Sequence, residues 1–224
     1  MECGAYNGGF RCKMIIIMCG GKYKDFYRHK ALCKVRGEVL IERSIRLLKE
    51  NGINDWYIST NDDHFNKYGH ILHHENSFEV KDGKVKGYWL DAYYPIEKPV
   101  IYLHGDVWYS NEAIKKILNL KPKVNTFIGN EVARNKEHLN WGEPFGWIIV
   151  NPKEFREGIN KTKQLQDEGK LERGYAISWE LYRVLNGLNP NKMYINDDTY
   201  LSIDDETIDI DTPAQIDMVN KGLR

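Results

Sequence analysis

One stretch, residues 14–51, constrains the fold of this chain more than any other. It begins with five apolar residues, 14–18, which have the length and β-branched content of a strand buried on both faces. Gly20 and Gly21 end that strand, and a loop rich in lysine and arginine follows. Apolar residues at helical spacing then run from Leu40 to Leu48. Small residues beside concentrated positive charge, at the end of a buried strand, suit a ligand that carries phosphate.

Two common phosphate-binding motifs do not account for this stretch. Gly20 and Gly21 are followed by KYKDFYRH, so the pattern G-x-x-x-x-G-K-[ST] is not met. The dinucleotide pattern G-x-G-x-x-G is not met either. Neither motif therefore accounts for the order of strand, glycine turn, cationic loop and helix.

The stretch resembles the signature of nucleotidyltransferases with a GT-A-like fold, which join a nucleoside triphosphate to a phosphorylated small molecule. That signature places a small residue and glycines after an apolar strand, then a lysine before an apolar pair, then G-x-P-L-[IL]. The three places are held here by Cys19-Gly20-Gly21, by His29-Lys30-Ala31-Leu32 and by Gly37-Glu38-Val39-Leu40-Ile41. The resemblance implies a Rossmann-like, three-layer α/β/α domain with a mostly parallel central sheet, as in nucleotide-diphospho-sugar transferases.

The remainder of the chain alternates apolar runs with segments of helical periodicity. The predicted strands cover residues 56–60, 71–73, 100–104, 124–129, 146–150, 193–195 and 208–211. The predicted helices cover residues 40–51, 64–68, 87–94 and 176–186, with others beginning after Ser110, Asn151 and Thr212. This alternation predicts right-handed βαβ crossovers in one domain, residues 14–224. Residues 1–13 are expected to be an extension outside it, either disordered or added before the native start.

Composition narrows the class of function. Lysine plus arginine and aspartate plus glutamate both number 32, so a general attraction to nucleic acid or to membranes is not expected. Apolar runs are far shorter than the roughly 18 residues of a membrane span, and the first residues do not form a signal peptide, so we expect a cytoplasmic protein. The four cysteines form no C-x-x-C pair, which argues against zinc.

Two aspartates are candidate metal ligands. Asp106 follows the predicted strand 100–104 through Gly105, and Asp211 ends the run Ile208-Asp209-Ile210-Asp211 before Thr212-Pro213. Without further context, an aspartate in such places is most often a cap or a turn residue. The resemblance implies instead that Asp106 and Asp211 bind Mg²⁺ on the triphosphate, with Asp209 in a supporting or structural role.

The resemblance also assigns residues to the two substrates. Ala31 and Leu32 are expected to draw the chain back into the core and so to fix the position of Lys30. The resemblance implies that Lys30 binds phosphate at the reacting centre, and as a loop lysine it is expected to contribute little to stability. The residues expected at the nucleotide are Cys19, Gly20, Gly21, Lys22, Lys30 and Asp106. Those expected at the phosphorylated acceptor are His104, Trp141 and Glu143.

The leading hypothesis is therefore a Mg²⁺-dependent nucleotidyltransferase that acts on a phosphorylated sugar, polyol or similar metabolite and releases pyrophosphate. The Asp-Thr-Pro ending favours CTP slightly, whereas Lys-Ala-Leu is typical of guanylyl-transferring relatives. A homodimer is compatible with this hypothesis.

One alternative is a GT-A glycosyltransferase that uses a nucleotide sugar, although Gly105-Asp106-Val107 stands where those enzymes carry Asp-x-Asp. A second is an inactive, nucleotide-binding relative, favoured by Lys22 in the glycine turn.

Overall fold

Strands and helices alternate along the part of the chain that the computed structural model describes, residues 14–20, 29–74, 77–131 and 142–222. In chain order the strands are β1 (Met14–Met18), β2 (Lys34–Val35), β3 (Glu38–Val39), β4 (Tyr57–Ser59), β5 (His70–Leu72), β6 (Glu79–Lys81), β7 (Lys84–Lys86), β8 (Val100–His104), β9 (Val107–Trp108), β10 (Thr126–Asn130), β11 (Glu143–Ile149), β12 (Tyr200–Ser202) and β13 (Ile208–Asp209). The helices are α1 (Leu40–Glu50), α2 (Asn111–Asn119), α3 (Pro152–Asp167), α4 (Ser178–Leu185) and α5 (Pro213–Asn220).

A seven-stranded sheet, in the order β12-β10-β11-β8-β1-β4-β5, forms the middle layer of the described residues. β1 lies between β8 and β4 and is parallel to both, with Met14 opposite Val100 and Met18 opposite His104. β11 is antiparallel to both of its neighbours, whereas the other neighbouring strands are parallel to one another. The sheet is therefore mostly parallel, as predicted. Because parallel strands end on the same side, the carboxyl ends of β1, β4 and β8 share one edge of the sheet.

The two faces of the sheet bury separate apolar cores. Ile15 and Ile17 pack in a core with residues of α1 and α2. Ile16 and Met18 pack on the other face, in a core with residues of α3 and α4. Successive side chains of a strand point to opposite faces, so both sets are buried, and this explains the unbroken apolar run in the sequence.

The helix boundaries follow the capping signals. α1 ends just before Gly52, whose φ is +79°. The Ser110 hydroxyl accepts a hydrogen bond from Ala113 N at the start of α2, and Asn151 precedes Pro152 at the start of α3. Along the described part of the chain, we find no helix that is long and apolar enough to cross a membrane.

Three local predictions were wrong. Residues 193–195 are not a strand, and the edge strand of the sheet is β12 instead. Residues 87–94 hold only a short 3₁₀ turn, Trp89–Ala92, because Gly87 has φ +68° and Pro95 disfavours helical geometry in the residue before it. Residues 79–86, to which no strand was assigned from the sequence, form the hairpin of β6 and β7, whose Asp82-Gly83 turn has positive φ at both residues.

Candidate active site

Lys30 lies between two aspartates at the carboxyl edge of the sheet. Its Nζ is 3.2 Å from Oδ2 of Asp106 and 2.7 Å from Oδ1 of Asp211. Lys30 is only 8% exposed. The side chains of Asp106 and Asp211 are 25% and 34% exposed, so the cluster reaches solvent on its carboxylate side.

A 3₁₀ turn, Lys30–Leu32, holds the lysine in place. Ala31 is buried in the core that contains Ile15 and Ile17, and Cys33 N donates to Lys30 O at 2.9 Å. The backbone of Lys30 is therefore fixed beside the core, while the long side chain extends to the aspartates.

Gly105 allows Asp106 to stand directly at the end of β8. Gly105 N donates to Met18 O at 2.9 Å, which continues the pairing of β8 with β1. A Cβ at position 105 would lie 2.6 Å from Cys19 Sγ and 2.7 Å from Met18 O. A larger residue would therefore force the ends of the two strands apart.

A small ribbon, defined as β9 paired with β13, brings Asp211 to Asp106. The strands are antiparallel, with Ile208 opposite Trp108 and Asp209 opposite Val107. Ile210 N then donates to Asp106 O at 3.0 Å. The ribbon was missed in the sequence, because two-residue strands leave too short a pattern and their pairing depends on residues far apart in the chain.

The first turn of α5 fixes the backbone at Asp211. Gln215 Oε1 accepts hydrogen bonds from Asp211 N at 2.6 Å and from Thr212 N at 2.7 Å. The Thr212 hydroxyl in turn accepts from Gln215 N at 3.3 Å. This reciprocal capping box accounts for the Asp-Thr-Pro sequence in structural terms, while the Asp211 carboxylate remains directed at Lys30.

Two further carboxyl groups lie buried beside this cluster. Asp209 N donates to Glu143 Oε2 at 3.4 Å, and Asp209 Oδ1 has no hydrogen-bond partner among the described residues. Burial raises the pKa of Asp209 well above its ordinary value, and the charges of Asp211 and Asp106 raise it further. Sequence analysis gave no sign of this burial, because Asp209 and Glu143 meet only through the fold.

The charges at the cluster are strongly coupled. Burial alone lowers the pKa of Lys30, but the carboxylates of Asp106, Asp209 and Asp211 outweigh it, so that the pKa is raised and the ammonium stays protonated. Burial raises the pKa of Asp106, yet Lys30 and then His104 outweigh this effect and hold the pKa below its ordinary value. Lys30 is thus a permanent cation facing at least one permanent carboxylate.

The donor set fits a hard divalent cation. The charges of Asp211, Asp106 and Glu143 all act on Asp209, and Lys30 faces more than one acidic group. Within the described ranges, no three His, Cys, Asp or Glu side chains form a ready ligand shell. Mg²⁺ does not need one, because it usually keeps several waters and takes one or two carboxylates together with substrate phosphates. The more exposed pair, Asp106 and Asp211, would hold it.

Of the other residues expected at the nucleotide, Cys19 and Gly20 lie at the end of β1. The Cys19 thiol is buried, and burial, with a further effect of Asp106, raises its pKa, so it is not a reactive thiol. A Cβ at position 20 would lie 2.7 Å from His74 Nε2, so glycine is needed for this close approach. Gly21 and Lys22 lie outside the described residues, as does Trp141.

His104, expected at the acceptor, is buried in a polar network at the end of β8. Its Nδ1 lies 3.1 Å from Pro144 O, so Nδ1 carries the proton and Nε2 can accept from the Tyr93 hydroxyl at 3.4 Å. Tyr93 also contacts the Ser178 hydroxyl, at 2.7 Å. Burial lowers the pKa of His104, which favours a neutral imidazole. Tyr93 and Ser178 were not found from the sequence, because neither lies in a motif.

Solved structures with similar folds include nucleotidyltransferases. Neither the family models nor the curated proteins include a match to this chain. A putative glucose-1-phosphate thymidylyltransferase from Bacillus anthracis has a TM-score of 0.55 at 16% identity, over 95% of this chain and 96% of that chain. The CTP:phosphocholine cytidylyltransferase from Streptococcus pneumoniae has a TM-score of 0.54 at 15% identity, over 95% and 99%. The inositol-1-phosphate CTP transferase from T. maritima has a TM-score of 0.53 at 13% identity, over 96% and 100%.

The chain has the GT-A-like nucleotidyltransferase fold. The predicted fold class is therefore confirmed, and the sequence resemblance is confirmed at the level of fold. The similarity extends over nearly the whole of both chains in each comparison. At these identities it concerns the fold alone, and the roles of individual residues stay predictions.

Proposed function

We propose that this protein is a nucleotidyltransferase that joins a nucleoside triphosphate to a phosphorylated sugar, polyol or similar small molecule and releases pyrophosphate. The observation that carries the proposal is the contact of Lys30 with both Asp106 and Asp211 at the carboxyl edge of a sheet with this fold. Ligands of open α/β sheets bind at that edge. CTP is the favoured nucleotide, because two of the similar structures are CTP-using enzymes and residues 209–213 read Asp-Ile-Asp-Thr-Pro.

The reaction is a displacement at the α-phosphorus. An oxygen of the acceptor's phosphate forms the new P–O bond, and the bond to the bridging oxygen breaks, so that its electrons leave with pyrophosphate. The acceptor phosphate is already anionic near neutral pH, so the chain need not supply a general base. Alignment and charge neutralisation are then the main requirements, as in other phosphoryl transfers.

Each residue of the cluster has a defined part in this proposal. Lys30 stays protonated and places its ammonium against the phosphate oxygens, where negative charge builds up. Asp106 and Asp211 would hold Mg²⁺, which when bound would neutralise charge on the triphosphate. His104 is buried, and its ring faces Pro144 O and the Tyr93 hydroxyl, so in this proposal it supports the acceptor side of the site from within the protein.

Pyrophosphate release tests the proposal. Purified protein is incubated with Mg²⁺, each of the common nucleoside triphosphates and a panel of phosphorylated sugars, polyols and amino alcohols. We expect pyrophosphate from one nucleotide with one class of acceptor, and its loss in Asp106→Asn. The matched control is Asp55→Asn, an exposed aspartate on the surface. Sugar transfer from a nucleotide sugar would instead favour a glycosyltransferase, and nucleotide binding without turnover an inactive relative.

A further inference from the structure

The Lys30 ammonium already fills the position that a bound cation would take. It contacts Asp106 at 3.2 Å and Asp211 at 2.7 Å, the same two carboxylates that are proposed to hold the metal. It is also 8% exposed, so it cannot leave simply by turning within open solvent. The chain itself therefore supplies a cation to these two aspartates.

Asp106 and Asp211 cannot bind a free divalent ion and the Lys30 ammonium at the same time with full affinity for both. If the ion bound both aspartates while Lys30 stayed, two positive groups would lie within a few ångströms of each other in a partly buried site, where repulsion is poorly screened. If Lys30 left, a buried lysine would lose its two carboxylate contacts and need other acceptors. By either route, an ion without nucleotide binds less tightly than it would to the same two aspartates without Lys30.

A triphosphate removes this conflict. Its anionic oxygens provide new acceptors for the ammonium, and charge-assisted hydrogen bonds to phosphate can replace those to the aspartates. Only the side chain needs to move, since the backbone is fixed by the bond from Cys33 N to Lys30 O and by the buried Ala31. A lysine side chain has four rotatable bonds and can make this change without a shift of the turn.

We propose that Lys30 is an internal counter-ion that keeps free divalent cations away from Asp106 and Asp211, so that the metal enters only together with the triphosphate. This inference rests on the proposed function and adds that the metal binds to the site only together with the nucleotide. The coupling is reciprocal: the nucleotide strengthens binding of the metal, and the metal strengthens binding of the nucleotide by the same factor.

The test measures binding of Mn²⁺ to the whole chain, with paramagnetic resonance of the free ion as the readout. Wild type is compared with Lys30→Met and Lys30→Gln, which remove the charge, and with Lys115→Met, which removes a surface lysine paired to Glu112. Without nucleotide, we expect the Lys30 variants to bind Mn²⁺ at least tenfold more tightly than wild type, which corresponds to about 1.4 kcal/mol. Lys115→Met should match wild type. Adding Asp106→Asn to Lys30→Met should abolish the gain.

Equal affinity of wild type and the Lys30 variants for Mn²⁺ would overturn the inference, as would a gain that survives Asp106→Asn. If neither Lys30 variant folds, binding of Mn²⁺ to the wild-type protein is the decisive measurement. One Mn²⁺ bound per chain without nucleotide, and lost in Asp106→Asn, overturns it. Binding of Mn²⁺ that appears only with CTP, and exceeds what the same concentration of CTP binds without protein, supports it. These measurements need no turnover. Exclusion without pyrophosphate release would therefore retract the proposed activity and leave the counter-ion role standing.

Discussion

The burial of charge dominates the candidate site at the scale of single residues. Lys30 contacts two carboxylates and is almost fully buried, so it is part of the structure as well as a candidate phosphate ligand. The expectation that it contributes little to stability assumed a solvated loop lysine, and the observed burial and contacts do not fit that assumption. Its fixed position beside Ala31 agrees with the sequence argument.

Replacement of Lys30 should affect both stability and turnover. We expect Lys30→Met to lower the free energy of unfolding by about 1–3 kcal/mol, because two partly buried carboxylates lose their shared partner. Turnover should fall by about 10² or more, since a positioned charge is lost from the reacting centre. Urea unfolding and pyrophosphate release measure the two effects. Lys115→Met, within about 0.5 kcal/mol of wild type, is the control. Unchanged stability would mean that the ion pairs contribute nothing.

The two aspartates should act as one unit. Asp106→Asn and Asp211→Asn are each expected to remove most of the activity, because each disables the same proposed metal site. The double variant should then lose much less than the sum of the two losses, expressed as free energies. Steady-state pyrophosphate release at saturating Mg²⁺ measures this, and EDTA should stop the wild-type reaction. Fully additive losses, or full turnover in EDTA, would contradict a shared metal.

At the site, sequence analysis was informative wherever a residue carried its own local signal. Lys30, Asp106 and Asp211 each lie next to a strand or turn that can be recognised from neighbouring residues, and the fold brings them together. The burial of Asp209 against Glu143 and the contact of Tyr93 with His104 have no such signal. They depend on elements that are distant in the chain and meet only after folding.

At the scale of elements, an ionic cluster joins α1 to the strand β9. Arg43 stacks on Trp108, with its guanidinium 3.7 Å from the ring centroid, and donates to Tyr109 O at 2.7 Å. Glu38, in the short strand before α1, accepts from both Arg43 and Arg46. Because Asp106 directly precedes β9, this cluster helps to hold the strand that follows the candidate site.

The Glu38 carboxylate should make stability depend on pH. Hydrogen bonds from Arg46 lower the pKa of Glu38, partial burial opposes them, and those from Arg43 add to the lowering. A lowered folded-state pKa contributes stability that is present above the unfolded value, about 4.3, and is lost as the pH falls through the folded value. Glu38→Gln should therefore be about 1 kcal/mol less stable than wild type at pH 7, with the difference vanishing toward pH 3.

Urea unfolding at pH 7, 5, 4 and 3 measures this difference, and Glu79→Gln, on the exposed hairpin of β6 and β7, is the control. A difference between wild type and Glu38→Gln that stays constant over the whole range would mean that packing, and not charge, accounts for it.

Long elements were predictable, and short ones were not. α1, α2 and α3 carry an apolar face and an end signal within the same segment, so local residues determine them. β12 and β9 are only three and two residues long, and each is a strand because a distant segment pairs with it. Residues 193–195 show the reverse case: an apolar run that has no partner strand stays irregular.

At the scale of the whole molecule, the sheet separates two cores that share the backbone of β1 but not its side chains. Ile17 packs with residues of α1 and α2, and Ile16 with residues of α3 and α4. Both side chains are fully buried. The layers on the two faces therefore contribute to stability through different contacts, although the strand between them is continuous.

Adjacent substitutions in β1 should consequently be additive. Ile16→Val and Ile17→Val each remove one buried methylene and should each lower the free energy of unfolding by about 0.5–1.5 kcal/mol. Because the two side chains face different cores and share no apolar partners, the double variant should equal the sum within about 0.5 kcal/mol. Ile15→Val with Ile17→Val is the comparison, since both face the core with α1 and α2. Urea unfolding of the single and double variants measures each term. A larger coupling between positions 16 and 17 than between 15 and 17 would show that strain passes through the strand itself, and that the two cores do not act as independent layers.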